Sequence, residues 1–266
     1  MRGSQSTVQR AKDELVAGTD PGWFGHPDLV DSWRRCVSQL GHPGELRSIP
    51  TVPESWLDDA PLELLREPLE VLTGSLEGSG AALLLTDSRG LVLERWFEDS
   101  AAGVHLDSVG SRRGADLRES TVGTNAVSLA VTTERSVQVS GSEHFSQFFD
   151  HSACVADPIP DPVSGETLAV ITLTAPVNPR ITFMRRWLAT MRVHVSGHLA
   201  PRLSRPSSLR VEDSEEWALR QALSETQGDI ARTCELLGLS RATVYRRTRR
   251  YRISAIGEVP YWGVSI

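Results

Sequence analysis

Apolar residues recur at helical spacing in three segments of the chain, residues 27–40, 59–76 and 179–199. In each segment they fall three or four positions apart, which places them on one face of a helix. Pro68 lies inside the second segment, where it should kink or shorten the helix, because proline lacks a backbone N–H and clashes with the preceding turn. The first twenty residues are polar and show no such period, so we expect residues 1–20 to be disordered.

The period changes between residues 81 and 176, where short apolar runs alternate with turn sequences. Two of these runs flank the turn sequence DSRG and predict a β-hairpin over residues 81–97. Further strands are predicted at 136–142, 152–159 and 167–176, and helices at 124–133 and 143–151. The resulting order, β-β-α-β-α-β-β, is typical of an α+β domain with an antiparallel sheet and flanking helices.

The segment from about residue 214 to residue 253 has the pattern of three short helices. Gly228 ends the first, Asp229 suits the N-cap of the second, and Gly238 suits the left-handed turn that follows it. Ser240 then suits the N-cap of a third helix, RATVYRRTRRY. Two capped helices joined by a glycine turn are typical of a helix-turn-helix, an all-α unit whose second helix enters the major groove of DNA.

The charge distribution supports this interpretation, although the chain is acidic overall. The net charge is −6, yet residues 241–252 hold six arginines and no acidic residue. A local basic cluster of this kind is what phosphate binding requires. The predicted DNA-binding residues are Ser240, Arg241, Thr243, Tyr245, Arg246, Arg247, Arg249 and Arg250. Those near the start of the helix should contact base edges, and the last three arginines should contact phosphates.

Both regions resemble known families. The C-terminal unit resembles the Fis DNA-binding domain through QGDIARTCELLG, GLSR and RATVYRRTRRY, and departs from it at Arg252, where that family usually has glycine. Residues 28–176 resemble the N-terminal half of acetoin-catabolism-type activators through SWRRC, VGTNAVSLAV, VQVSGSEHF and CVADPIPDPVSGETLAVITLT. The second resemblance implies a short helical region followed by a GAF domain, a fold that senses a small molecule or a cofactor.

Activators of that type carry a large ATPase domain between the sensor and the helix-turn-helix. Here few residues separate the two regions in the sequence. No stretch matches the phosphate-binding pattern G-x-x-x-x-G-K-[ST] or the GAFTGA loop that engages sigma-54. We therefore expect a one-component regulator of ordinary promoters that has no ATPase activity.

The expected organisation has seven parts. They are a disordered N-terminus (1–20), a helical region (21–77), a GAF-like sensor domain (78–178), a connecting or dimerisation helix (179–200), a linker (201–212), the Fis-type helix-turn-helix (213–253) and a tail (254–266).

Five sensor residues are candidates for effector binding: Trp96, Thr124, Asn125, His144 and Cys154. Each also has a structural interpretation, which is capping for Thr124 and Asn125 and core packing for Trp96 and His144. The three cysteines of the chain lack CxxC spacing, so we expect free thiols rather than a disulfide or a zinc site. A redox role for Cys154, or a protein-interaction role for the whole sensor, is the alternative function.

No carboxylate is spaced from a histidine in a pattern that indicates catalysis. We therefore expect neither an enzyme nor a bound metal or cofactor. No run of about 18 apolar residues occurs and the start lacks a signal peptide, which predicts a cytoplasmic protein without a membrane partner. One three-helix unit offers few phosphate contacts, so we expect a homodimer on a double-stranded DNA operator, with Trp217 and the 179–200 helix as candidate interfaces. An unknown small-molecule effector and RNA polymerase are the further expected partners.

Overall fold

The computed structural model describes residues 5–44, 46–162, 164–177, 181–203, 211–226, 228–251 and 253. Arg252, most of the predicted linker and the predicted tail lie outside the described residues. By its internal contacts the chain divides into two units, residues 1–196 and 197–266.

Five strands build one antiparallel sheet in the first unit. They are β1 (Ala82–Asp87), β2 (Val92–Trp96), β3 (Val137–Ser140), β4 (Ser152–Pro160) and β5 (Thr167–Pro176). Their spatial order is β2-β1-β5-β4-β3, and every neighbouring pair is antiparallel. In the central strand, Leu173 pairs with Leu83 on one side and with Val155 on the other. The predicted α+β fold with an antiparallel sheet is confirmed.

The helices described between residues 5 and 203 are α1 (Gln5–Val16), α2 (Pro27–Leu40), α3 (Ala60–Thr73), α4 (Ser100–Val109), α5 (Glu119–Val122), α6 (Ala126–Thr133) and α7 (Ile181–Leu203). Short 3-10 turns lie at Glu54–Trp56, Gly74–Leu76, Gly141–Glu143 and Gln147–Phe149. Three further helices follow, α8 (Val211–Glu225), α9 (Ile230–Leu237) and α10 (Arg241–Arg250). Helix α3 continues past Pro68 to Thr73 before the 3-10 turn at 74–76 begins.

The two faces of the sheet pack against different helices, because neighbouring side chains on a strand point to opposite faces. Cys154 and Thr172 line a cavity together with Ala126 of α6 and Val109 of α4. Leu173, on the opposite face, lies beside Met184 and Trp187 of α7. The cavity and α7 therefore lie on opposite faces of the sheet.

The prediction that residues 1–20 are disordered is wrong for residues 5–16, which form α1. Val8, Ala11 and Leu15 are spaced three and four positions apart and are all buried in the core cluster that contains Trp33. This apolar face of α1 has only three members, and one of them is an alanine, so the helical pattern in the sequence is weak. Packing against distant residues stabilises the helix where local propensity alone is marginal.

Two other segments differ from the prediction. Residues 143–151 form 3-10 turns rather than a helix, since the N–H of Phe145 donates to the Thr124 carbonyl instead of to its own segment. Helix α4 was not predicted, although Asp99 caps it by accepting a hydrogen bond from the N–H of Ala101. An aspartate before an Ala-rich segment is the local signal that could have located this helix.

Gly123 should be intolerant of substitution. A Cβ there would lie 2.6 Å from Phe145 atoms, and its φ of +76° is one that L-residues rarely adopt. With ψ at −168°, Gly123 lies in a backbone region that is essentially restricted to glycine. We expect Gly123→Ala to lower the unfolding free energy by about 1–3 kcal/mol through the backbone and by roughly 1–3 kcal/mol more through overpacking, as measured by urea denaturation.

Gly165→Ala is the matched control, because its φ is +78° and an added Cβ meets nothing within 4 Å. It should show only the backbone cost. Equal destabilisation by the two alanines would mean that Phe145 does not pack tightly against Gly123.

Candidate functional site

The second and third helices of the C-terminal unit are fixed by side-chain caps. Asp229 accepts hydrogen bonds from the N–H groups of Ala231 (2.8 Å) and Arg232 (3.2 Å) at the start of α9. Ser240 accepts one from the N–H of Thr243 (3.2 Å) at the start of α10. Gly238 between them has φ +63° and ψ +30°, the left-handed conformation. These are the cap and turn positions that the sequence predicts.

A small apolar core holds the three helices together. Leu219 and Leu223 of α8 and Val244 of α10 are buried. Partly buried residues surround them, namely Ile230, Cys234, Leu237, Leu239, Tyr251 and Ile253. With one side of α10 committed to this core, its remaining side chains lie at the surface.

The arginines of α10 fall into two groups. Arg241, Arg246 and Arg249 are exposed, and no ion pair joins them to another described residue. Arg247 is different, because its Nη2 lies 3.0 Å from Glu215 Oε1, and the Tyr251 hydroxyl donates to the other oxygen of the same carboxylate at 3.2 Å. Arg247 was predicted to contact phosphate, but in this structure its ion pair with Glu215 connects α10 to α8.

The remaining predicted DNA-binding residues lie on the same helix. Tyr245 is half exposed, and Thr243 is partly buried beside Ser240. The guanidinium of Arg250 lies over the Tyr251 ring, 5.6 Å from its centroid. The DNA contacts of all these residues stay predictions.

In the sensor, a cavity lies between the sheet and the helices α4 and α6. The space open to the centre of a water molecule is about 20 Å³. Its walls are mostly apolar, and no charged side chain lines it among the described residues. The lining residues are Leu84, Val109, Ser111, Leu117, Asn125, Ala126, Val127, His144, Phe149, Ser152, Cys154, Thr172 and Thr174.

His144 is fully buried in this wall. Its Nδ1 lies 3.0 Å from the carbonyl oxygen of Gly141, and its own carbonyl accepts a hydrogen bond from Lys12 Nζ at 2.9 Å. Burial lowers the pKa of His144 to about 4, and the nearby Lys12 charge adds to the effect. The imidazole is therefore neutral at physiological pH.

Cys154 lies on the same wall, with Sγ 3.3 Å from Thr174 Oγ1. Burial raises the pKa of this thiol to about 11. A thiol must ionise to react readily with oxidants, so the geometry does not support a redox role for Cys154. All three cysteines are free thiols.

The other predicted effector residues have structural partners. Asn125 caps α6 by accepting from the Ser128 N–H, and its Nδ2 donates to the carbonyls of Leu117 and Gly123. Thr124 is buried with its hydroxyl 2.7 Å from Ser32 Oγ, outside the cavity wall. Trp96 is partly buried at the end of β2 and is not among the lining residues. Sequence reasoning missed Thr172, since a threonine on a strand has no distinguishing local signal.

The SWRRC segment of α2 holds the loop that leads into the cavity. Arg35 makes a two-pronged contact with Glu119, through Nε at 2.6 Å and Nη2 at 2.9 Å, and Ser32 donates to the same carboxylate. Trp33 Nε1 donates to the Glu143 carbonyl at 2.9 Å, one residue before His144. These residues position the wall of the cavity.

The sheet with its cavity and the capped basic helix together define a class of protein, one that joins a GAF-like domain to a Fis-type helix-turn-helix. Residues 210–251 match the family described as "Bacterial regulatory protein, Fis family". Residues 5–183 match the family described as "MimR, N-terminal domain", which covers well over half of the chain. The chain belongs to the MimR N-terminal domain family.

Two curated relatives support this assignment. The propane 2-monooxygenase operon transcriptional activator MimR of Mycolicibacterium goodii is 29% identical over 177 residues, which is 65% of this chain and 30% of that protein. The acetoin catabolism regulatory protein of Cupriavidus necator is 29% identical over 185 residues, which is 66% of this chain and 27% of that protein. This chain thus spans about a third of the length of the curated relatives it matches. The resemblance to acetoin-catabolism-type activators is confirmed.

A solved structure supports the fold. A chain in the crystal structure of the E. coli DhaR(N)–DhaL complex matches with a TM-score of 0.58 and 22% identity, covering 65% of this chain and 60% of that chain. Among the described residues, no helix combines the length and the apolar character that crossing a membrane requires.

The buried His144 should make the stability of the sensor depend on pH. Its folded pKa of about 4 lies below the ordinary 6.5, so below pH 6.5 the unfolded chain binds a proton that the folded chain does not. The stability it contributes is present above pH 6.5 and is lost as the pH falls toward 4. We expect the gap in unfolding free energy between wild type and His144→Gln to narrow by roughly 3 kcal/mol over that range in urea titrations.

Asp157→Asn is the control, because the contribution of Asp157 to the unfolding free energy should change with pH in the opposite direction. Burial raises the pKa of Asp157 to about 6 from 3.8, so the stability it contributes is present below pH 3.8 and is lost as the pH rises through 6. A gap between wild type and His144→Gln that stays constant from pH 7.5 to 4 would contradict the placement of a neutral imidazole in the core.

Proposed function

We propose that this chain is a one-component transcription regulator that binds operator DNA as a homodimer through α10 and responds to a small molecule in the sensor cavity. The observation that carries the proposal is α10 itself. It is capped at Ser240 and packs on a small core through Val244. Its exposed Arg241, Arg246 and Arg249 have no ion pair with another described residue.

The position of these arginines supports sequence-specific contact. In a helix-turn-helix, the N-terminal residues of the second helix of the motif reach base edges, and that region of α10 holds Arg241 and Arg246. A two-pronged arginine–guanine contact discriminates against other bases by about 1–3 kcal/mol. Arg249 lies further along the helix, where a phosphate contact would add affinity without specificity.

The spacing of the two family matches supports action without ATP. The sensor match ends at residue 183 and the Fis-type match begins at residue 210, which leaves no room for an ATPase domain between them. We infer that the regulator works in the cytoplasm by recruiting or obstructing RNA polymerase.

The relatives suggest the kind of effector. Their names refer to a propane 2-monooxygenase operon and to acetoin catabolism, so both concern the use of small organic molecules. A small organic effector also suits a cavity that combines apolar side chains with uncharged polar ones. Recognition of a protein by the sensor stays a second prediction.

Exposed apolar side chains support dimer formation. On α7, Phe183 and Val193 are 60% and 68% exposed, and on α9 Leu236 is 55% exposed. Phe183 and Val193 are ten residues apart, about 2.8 helical turns, and so lie roughly 80° apart around α7. A second copy of the chain would cover these side chains and place two α10 helices on two half-sites.

Arg241→Ala and Arg246→Ala should each weaken operator binding roughly 5- to 150-fold and reduce the preference for operator over scrambled DNA. Arg249→Ala should weaken binding equally on both DNAs and reduce the slope of log affinity against log salt by about 0.9. Mobility-shift titrations at several salt concentrations measure both quantities.

Arg186→Ala, at an exposed position on α7, is the matched control and should leave both quantities unchanged. Glu215→Gln should act in the opposite direction, because it frees Arg247 for a phosphate and steepens the salt dependence. Unchanged affinity and preference in Arg241→Ala and Arg246→Ala would refute this assignment of the DNA-binding face.

Phe183→Glu combined with Val193→Glu should convert the dimer to a monomer in light scattering at micromolar concentration, because a charge in an apolar interface is costly to bury. Val71→Glu is the control, since Val71 is 72% exposed on α3. A wild-type chain that is monomeric both with and without operator DNA would contradict the dimer.

A further inference from the structure

Two polar atoms of the cavity wall are buried without partners. Neither His144 Nε2 nor Thr172 Oγ1 has a hydrogen-bond partner among the described residues. Both side chains line the same cavity, although they come from segments 28 positions apart in sequence. Leaving a buried polar atom unpaired is energetically unfavourable, so two such atoms in one small space indicate a site for a molecule that pairs with both.

The tautomer of His144 determines what that molecule must offer. The Gly141 carbonyl, 3.0 Å from Nδ1, can only accept, so Nδ1 carries the proton. The ring is neutral, since burial lowers the pKa of His144 to about 4. Nε2 therefore presents a lone pair to the cavity and requires a hydrogen-bond donor.

The rest of the wall indicates an uncharged ligand. No charged side chain lines the cavity among the described residues, so a carboxylate, phosphate or ammonium would be buried without a counter-charge. Four of the other five polar side chains in the wall are already engaged. Asn125 is held by the cap of α6, Ser152 Oγ lies 3.2 Å from His105 Nε2, and Cys154 lies against Thr174.

The size of the space limits the ligand to a few heavy atoms. The 20 Å³ open to the centre of a water molecule is about enough for one water. A larger molecule enters only if apolar neighbours such as Leu84, Val127 and Phe149 move. Ligand entry would thus be coupled to a shift in the sensor core.

We propose that this cavity binds a small uncharged alcohol or diol, whose hydroxyl donates its hydrogen to His144 Nε2 and accepts one from Thr172 Oγ1. The inference rests on the proposed function, in which this cavity is the effector site. One hydroxyl group satisfies both atoms. A ketone of the same size can accept from Thr172 but leaves Nε2 unpaired, and the site should reject it for that reason.

Propan-2-ol and acetone test this, because both have four heavy atoms and only the alcohol has a donor. The full chain, labelled with 15N-histidine, is titrated with each, and the Nε2 resonance of His144 is followed by long-range 1H–15N NMR. Loss of the peak in His144→Gln assigns it. We expect a saturable shift with propan-2-ol and at least roughly 10-fold weaker binding of acetone.

Thr172→Val should weaken propan-2-ol binding by roughly 10-fold, since it removes the second hydroxyl contact at nearly constant volume. Thr86→Val is the matched control, because Thr86 is also buried in the sheet but does not line the cavity. Equal weakening in the two variants would count against the assignment of Thr172.

Two further results would overturn this inference, and both can be told apart from failure of the proposed function. Acetone binding as tightly as propan-2-ol would overturn the requirement for a donor. No shift with ethanol, propan-2-ol or butane-2,3-diol would show that the cavity takes water only, which also overturns the inference. Mobility-shift titrations of the same samples report operator binding independently, so a failed ligand class leaves the DNA-binding proposal to be judged separately.

Discussion

The packing of α2 onto the loop that carries His144 is the interaction on which the sensor depends. Trp33 is fully buried, and its Nε1 donates to the Glu143 carbonyl, while Lys12 of α1 donates to the next carbonyl, that of His144. Both donors come from helices outside the sheet. They hold two consecutive peptide groups at the end of the 3-10 turn Gly141–Glu143, a short element with few hydrogen bonds of its own. They therefore fix the backbone from which the imidazole of His144 reaches the cavity wall.

Local signals in the sequence were sufficient for most of the DNA-binding unit. Asp229, Gly238 and Ser240 each act on residues within four positions, so their roles follow from residue type and spacing. Strands β3, β4 and β5 were also predictable, because their apolar runs are bounded by turn sequences. The structure of α1 was not, since its short stripe is stabilised by residues more than a hundred positions away.

The sites show the same division between local and distant effects. The exposed positions of Arg241 and Arg246 follow from helical period once Val244 is assigned to the core. The engagement of Arg247 could not be predicted, because Glu215 is 32 residues earlier and lies on a different helix. Thr172 could not be singled out either. Its hydroxyl is notable only because nothing described pairs with it, which is a property of the packed structure.

Strand β4 connects the cavity to the helix that leaves the sensor. Cys154 lines the cavity, whereas Asp157, three residues along and on the opposite face, lies with Oδ1 3.5 Å from Arg192 Nε of α7. That contact is longer than a strong charge-assisted hydrogen bond, and the burial that raises the pKa of Asp157 to about 6 makes its charged form costly. A marginal contact changes its occupancy in response to small displacements. Because Cys154 and Asp157 lie on the same strand, β4 is the route by which we expect a ligand in the proposed effector site to act on the position of α7.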